Sequence, residues 1–355
     1  MIVRARQPDH GRGHGRDGFT LIEIIIAVAI VAILAGAITP LAFRELVSAR
    51  EEATERELAA IKHAMLDFYE DTGRFPDEGE GLGALLSDPG VSGWQGPYLE
   101  ADSGDPLTEL GTDAFGRAYV YDLSPATTPA GAADAIVASG GADRAWSLGG
   151  LNQPWHLTAD GDDLVSLISA GSLDRDKSLA CMAEITAIGD AARSFYEDNA
   201  AFPATLGELT DTYLDAGIAN ANLIDPWRNP YVLGLSGGFG APQVLTVRSF
   251  GPDRANDDGG DDDISLAVSS VPPGRTATQR KLTIAQTALN NNPTTVLTGV
   301  WSSDRVSLNL SDAFVADGWG RSFAVDAVSR IIYSVGPDGN GATVDDNLPT
   351  GVGGP

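Results

Sequence analysis

The stretch "RDGFTLIEIIIAVAIVAILAGAITPLAF", Arg16 to Phe43, decides how the rest of this chain is read. From Ile24 to Phe43 there are twenty residues without a charge. As a helix they span roughly 30 Å, enough to cross the hydrocarbon core of a bilayer. One acid, Glu23, stands just before them. An acidic side chain at the centre of a membrane helix costs about 2.5–3.5 kcal/mol, so its presence needs a reason. One reason is position at the membrane edge, where headgroups and water reach the carboxylate. Arg4, Arg6, Arg12 and Arg16, set against Asp9 and Asp17, give the preceding residues a net positive charge. That excess predicts a cytoplasmic amino end with the remainder exported. The small-residue cleavage pattern of a removable secretory signal does not follow the run.

Helical periodicity continues beyond the apolar run. In "RELVSAREEATERELAAIKHAMLDFYED", Arg44 to Asp71, the residues Leu46, Ala49, Ala53, Leu58, Ile61, Met65 and Phe68 recur on one face. A helix of about fifty residues, half apolar and half amphipathic, spans roughly 75 Å. Pro40 lacks a backbone donor and predicts a kink or local melting inside it.

Composition sets outer bounds. The chain has 355 residues, room for two or three domains, and its 42 Gly and 20 Pro predict many turns after the first helix. A net charge of −26 excludes nucleic acid as a partner, because phosphates would repel the protein. Cys181 is the only cysteine, so no disulfide forms within the chain; its setting, "SLACMAEITAIG", reads as a buried helix face. His63 and His156 are the only histidines after the apolar run, which argues against a histidine zinc site.

The six residues "GFTLIE", Gly18 to Glu23, followed by an apolar helix and a proline, resemble the prepilin signature of type IV pilins and type II secretion pseudopilins. The resemblance implies a prepilin peptidase that cuts after Gly18 and methylates the new amino-terminal Phe19. It also gives Glu23 a second explanation, a salt bridge to the α-amino group of Phe19 on a neighbouring subunit, completed only on assembly. Asp17 departs from the pattern, where a basic or neutral residue is more usual.

The remainder of the chain repeats itself. "FYEDTGRFP" from Phe68 matches "FYEDNAAFP" from Phe195. "DAFGRAYVY" from Asp113, "DPWRNPYVL" from Asp225 and "DGWGRSFAV" from Asp317 share a turn leading into a strand. "ASGGADRA" from Ala138, "RSFGPDRA" from Arg248 and "YSVGPDGN" from Tyr333 share an acidic loop, followed by the pairs Asp162–Asp163, Asp262–Asp263 and Asp345–Asp346. Each module is expected to be a helix, an irregular loop, the turn, two strands, the acidic loop and a last strand. Expected strands are Ala118–Leu123 and Ala135–Ser139, Pro230–Leu235 and Val244–Ser249, then Ser322–Asp326 and Ile331–Ser334. The third module reads as degenerate, with a short helix near Thr278–Leu289.

These modules resemble the globular domain of the major pseudopilin of type II secretion, whose matching turn and loops surround one calcium ion. The resemblance implies Ca2+ ligands at Asp253, Asp262 and Asp263 in the second module and at Asp338, Asp345 and Asp346 in the third. In the first they fall at Asp143, Asp162 and Asp163, split by an insertion that holds Trp146 and Trp155. A hard cation suits several carboxylate and carbonyl oxygens. Solvated Asp–Gly turns are the alternative reading. "DDGGDDD" from Asp257 lacks the twelve-residue spacing and closing Glu of an EF-hand.

The expected class is therefore α+β: a long N-terminal transmembrane and amphipathic helix, then three pseudopilin-like modules, each a helix with a small antiparallel sheet and an acidic loop. The expected divisions are a leader at 1–18, the long helix at 19–72 with its membrane span at about 24–43, modules at 73–170, 171–270 and 275–349, and a tail at 350–355. No "GxSxG", Walker or "HExxH" motif is present, and no enzyme is expected. The resemblance implies a structural filament subunit anchored in the inner membrane and contacting lipid. Its implied partners are prepilin peptidase, other pilin-like subunits, and an assembly platform with its ATPase. The alternative is a calcium-dependent adhesin displayed on such a filament.

Overall fold

The computed structural model describes residues 20–100, 111–123, 134–144, 161–214, 223–238, 242–258, 260, 262–343 and 347–349. Helix α1, Leu21–Thr72, is one element of 52 residues, about 78 Å long at 1.5 Å per residue. Thr20 caps its start and Gly73, in the left-handed region at φ 74°, ends it. Pro40 does not melt the helix. The residue before it, Thr39, returns its hydroxyl to the carbonyl of Ala35 at 2.6 Å within the same turn.

The two halves of α1 differ in what they touch. Every residue from Leu21 to Phe43 is exposed, and this is the one helix among the described residues long and apolar enough to cross a membrane. Beyond it Thr54, Leu58, Ile61, Met65, Phe68 and Thr72 are buried, at alternating spacings of four and three. The buried stripe is shorter than the sequence periodicity predicts: Leu46 and Ala49 remain exposed.

The α+β class is found. Strands β1 (Val120–Leu123), β2 (Ala135–Ser139) and β3 (Leu164–Ile168) form an antiparallel sheet against α1. Helix α2 (Gly171–Asn199) follows, then β4 (Val232–Ser236), β5 (Val244–Ser249) and β6 (Ile264–Ser269), a second antiparallel sheet lying against α2. Helix α3 (Val271–Asn291) and α4 (Trp301–Ser307) precede a two-stranded sheet of β7 (Ala324–Asp326) and β8 (Ile331–Tyr333).

Helix α3 corrects the expected short element at 278–289. It begins seven residues earlier, because Pro272 and Pro273 occupy its first turn, where backbone donors have no helical partner anyway. Inner-face residues of the first two sheets, among them Val137, Leu245, Val247 and Val268, join Phe68, Ile185 and Ile188 in one continuous core. Leu282, Leu289, Trp301, Phe323 and Ile332 make a separate one. Strand β2 is buried on both faces; Ile136 and Ala138 pack with Val165 and Leu167 on the side away from α1.

Candidate functional site

Three aspartates organise the chain beyond α1. Asp113, Asp225 and Asp317 are each buried, and each backbone N–H bonds the carbonyl four residues on at 2.7 Å, closing the turn. In each, one carboxylate oxygen accepts the N–H groups two and four residues ahead, at 2.8–3.0 Å. The other accepts a serine hydroxyl from the end of the second strand or the residue after it: Ser139 at 2.5 Å, Ser249 at 2.6 Å and Ser334 at 2.6 Å. Each serine accepts the N–H of the glycine two residues later, Gly141, Gly251 or Gly336, at 3.1–3.2 Å. The turn thus fixes where each acidic loop begins.

Gly141 and Gly251 stand at φ 59° and 64°, and a Cβ there would lie 2.0 and 2.4 Å from the carbonyl oxygens of Asp162 and Asp262. Only glycine lets the two arms of these loops close. The first acid of each loop then meets the later pair. Asp143 donates its N–H to Asp162 Oδ2 at 2.7 Å, and Asp253 donates its N–H to Asp262 Oδ2 at 3.0 Å.

Among the described residues the second loop draws acids closest together. Carboxylate oxygens of Asp253, Asp257 and Asp262 lie within 4.8 Å of one another. Asp262 Oδ1 is buried without a hydrogen-bond partner among the described residues. Asp263, the next acid of the pair, accepts the N–H of Asp257 at 3.1 Å and faces Arg248 at 3.9 Å. Arg248 also donates to Asn256 at 2.8 Å and lies 3.5 Å from Asp258. Neither Asp257 as a third carboxylate nor Arg248 was singled out from the sequence; "RSFGPDRAND" contains the arginine two residues before the loop's phenylalanine, and that was the available signal. In the third loop Asp338 accepts the N–H of Asn340 at 2.8 Å. Asp345 and Asp346 lie outside the described residues.

At the membrane end, Glu23 closes a capping box with Thr20. Its carboxylate accepts the Thr20 N–H and hydroxyl, both at 2.9 Å. Gly18 and Phe19 lie outside the described residues. Cys181 is buried beside the hydroxyl of Tyr231 at 3.7 Å, and burial pushes its thiol up to about 11, as fits a core position.

Comparisons with known proteins match the N-terminal part of the chain. The family Type II secretion system (T2SS), protein G matches residues 42–153, and the Prokaryotic N-terminal methylation motif matches residues 14–39. The type II secretion system core protein G of Pseudomonas aeruginosa is 34% identical over 113 residues, covering 32% of this chain and 76% of that protein. Its counterpart in Aeromonas hydrophila is 30% identical over 111 residues, 31% of this chain and 74% of that protein. That of Klebsiella pneumoniae is 33% identical over 109 residues, 30% and 74% respectively. No solved structure matches.

Proposed function

This chain belongs to the type II secretion system protein G family, and we propose that it works there as a structural pilin-like subunit of an inner-membrane-anchored filament that drives protein export. The observation that carries the reading is α1 itself. One unbroken helix joins an exposed apolar half, long enough for a bilayer, to a half whose stripe from Thr54 to Thr72 is buried against the first sheet. Such a helix anchors a subunit and offers neighbouring subunits a shared apolar core. Its role is structural, not enzymatic.

In this reading prepilin peptidase cuts after Gly18 and methylates Phe19. Glu23 then exchanges its bonds to Thr20 for the α-amino group of the next subunit. The amino end faces the cytoplasm, where the assembly platform and its ATPase act, and the globular part is extracytoplasmic. The shared bond set at Asp113, Asp225 and Asp317 supports three copies of the protein G domain, at 73–170, 171–270 and 275–349, only the first of which overlaps the matched region. A calcium-dependent adhesin is not favoured, because the matches fall on the anchoring helix and the first module.

Calcium is part of the proposal. The clustered oxygens of Asp253, Asp257 and Asp262, with one buried and unbonded, fit a hard divalent cation that would relieve their mutual repulsion. Asp143 and Asp162 are joined in the same way in the first loop, and Asp338 begins the third. The ion would supply a cross-link between the two arms of a loop. The filament reading is tested by shearing filaments from secreting cells and probing them for this chain. Its recovery there supports the reading, and its confinement to dispersed membrane overturns it.

A further inference from the structure

The chain shows two joints between successive modules, and they are built differently. At the first, the carbonyls that end α1 each receive a cationic donor from the next module. Lys177 reaches the carbonyl of Glu70 at 2.7 Å, Arg228 that of Asp71 at 3.0 Å, and Arg254 that of Thr72 at 2.9 Å. Helix carbonyls left without partners at a C-terminus favour cations, so these three bonds satisfy both hydrogen bonding and the helix dipole. Arg254 and Lys177 also bond the carbonyls of Trp227 and Pro226, both at 2.8 Å, tying the turn to the helix end. Trp227 is fully buried, and Gly73 packs so tightly on it that a Cβ would lie 2.6 Å from its Cα. The two modules share one core.

At the second joint the same places hold no cation. "FYEDN" ends α2 as "FYEDT" ends α1, so Glu197, Asp198 and Asn199 replace Glu70, Asp71 and Thr72. The positions of Lys177, Arg228 and Arg254 are taken by Gly274, Gly320 and Gly339. Among the described residues nothing donates to the carbonyls of Glu197, Asp198 or Asn199. A cavity of about 400 Å³ opens there, lined by Tyr196, Ala200, Pro242, Trp319 and Arg321. A cleft of about 590 Å³ also runs beside the first joint, but Lys177 and Arg228 are part of its wall and their bonds span it. Across the second joint α2 and α3 touch, Trp319 Nε1 donates to the carbonyl of Ser270 at 3.1 Å, and the half-exposed Arg280 reaches the half-buried Glu197 at 3.3 Å and the exposed Asp198 at 3.9 Å. Exposed pairs of this kind hold little. The third module keeps its own core.

We propose that the second joint is a hinge: the first two modules form one rigid body, and the third is a head that changes orientation on it. Arg321 shows how the latch was lost. Its guanidinium bonds the carbonyl of Pro337 at 2.7 Å and occupies the space a side chain at Gly339 would need. In the second module that space belongs to Arg254, and the place of Arg321 is held by the short Asn229. The hinge goes beyond the secretion reading and does not depend on it, since it concerns how parts of one chain meet.

Pulsed electron spin resonance on the full chain in detergent micelles tests it. Cys181 is buried and escapes labelling, so exposed sites changed to cysteine carry the labels. Glu78→Cys with Asp211→Cys spans the first joint, and Asp211→Cys with Asn290→Cys spans the second; all three positions are exposed. The first pair is expected to give a single narrow distance and the second a broad distribution. Arg321→Asn with Gly339→Arg rebuilds the arrangement of the first joint and is expected to abolish the broad component. Equally narrow distances for both pairs, or equally broad ones, overturn the hinge. A broad second pair that ignores the double substitution overturns the latch as its cause.

Discussion

Asp225→Ala isolates the element on which the second module is built. The wild-type carboxylate is 2% exposed and accepts three bonds: Trp227 N–H at 3.0 Å, Asn229 N–H at 2.8 Å and the Ser249 hydroxyl at 2.6 Å. Each donor stranded in the interior costs about 1–3 kcal/mol, and the hydroxyl can turn to another acceptor. The net loss for the two stranded N–H groups is therefore about 2–6 kcal/mol. For a core of 150–250 residues, about 2–4 °C is lost per kcal/mol, so the melting temperature should fall by roughly 4–24 °C. The assay is circular dichroism of the full chain in micelles, with Asp211→Ala, at an exposed site, as the control. Because the first two modules share a core, both should melt earlier together. Asp317→Ala should move only the transition of the third. A drop no larger than that of the control would refute the view that these aspartates hold the turns.

Other expectations follow from the same contacts. Glu23→Ala should leave membrane insertion and processing intact while lowering the fraction of chain in sheared filaments; equal recovery would return Glu23 to a membrane-edge role. Chelator should lower the melting temperature measured in calcium, since a ligand bound only to the folded state adds about 2.7 kcal/mol at a hundredfold excess over its dissociation constant. Asp253→Ala with Asp262→Ala should remove most of the second loop's share, and calorimetry that detects no calcium binding would make these loops solvated turns. Cys181, with its thiol raised to about 11, should resist iodoacetamide at pH 8 in the folded chain and react on unfolding. Rapid labelling of folded protein would contradict its core position.

How much was legible in the sequence differs from one element to another. The apolar run and the stripe through Leu58, Ile61, Met65 and Phe68 gave α1 directly, because helix burial leaves a period. The stripe overstated its reach at Leu46 and Ala49, since periodicity records which face is apolar and not where a partner surface begins. Asp113, Asp225 and Asp317 were visible as turn residues. Their serine partners were hidden, because Ser139, Ser249 and Ser334 lie 17 to 26 residues away and strand pairing alone brings them near. Helix α3 runs past the expected Thr278–Leu289 at both ends, and its first turn accepts Pro272 and Pro273 because donors there have no helical partner. Lys177, Arg228 and Arg254 carried no signal of their role: their partners are backbone carbonyls, which every residue has. The acids of the second loop are legible in the sequence as a group; the pairing of Asp263 with the N–H of Asp257 and its approach to Arg248 are not, because loop closure alone sets them.

The filament reading stands on what happens at the membrane end, and mass spectrometry of the chain extracted from secreting cells reports on that end directly. A processed subunit gives an amino-terminal peptide that begins at Phe19 with one added methyl group. An intact amino terminus that still carries Met1 to Gly18, in cells whose filaments assemble, would contradict it.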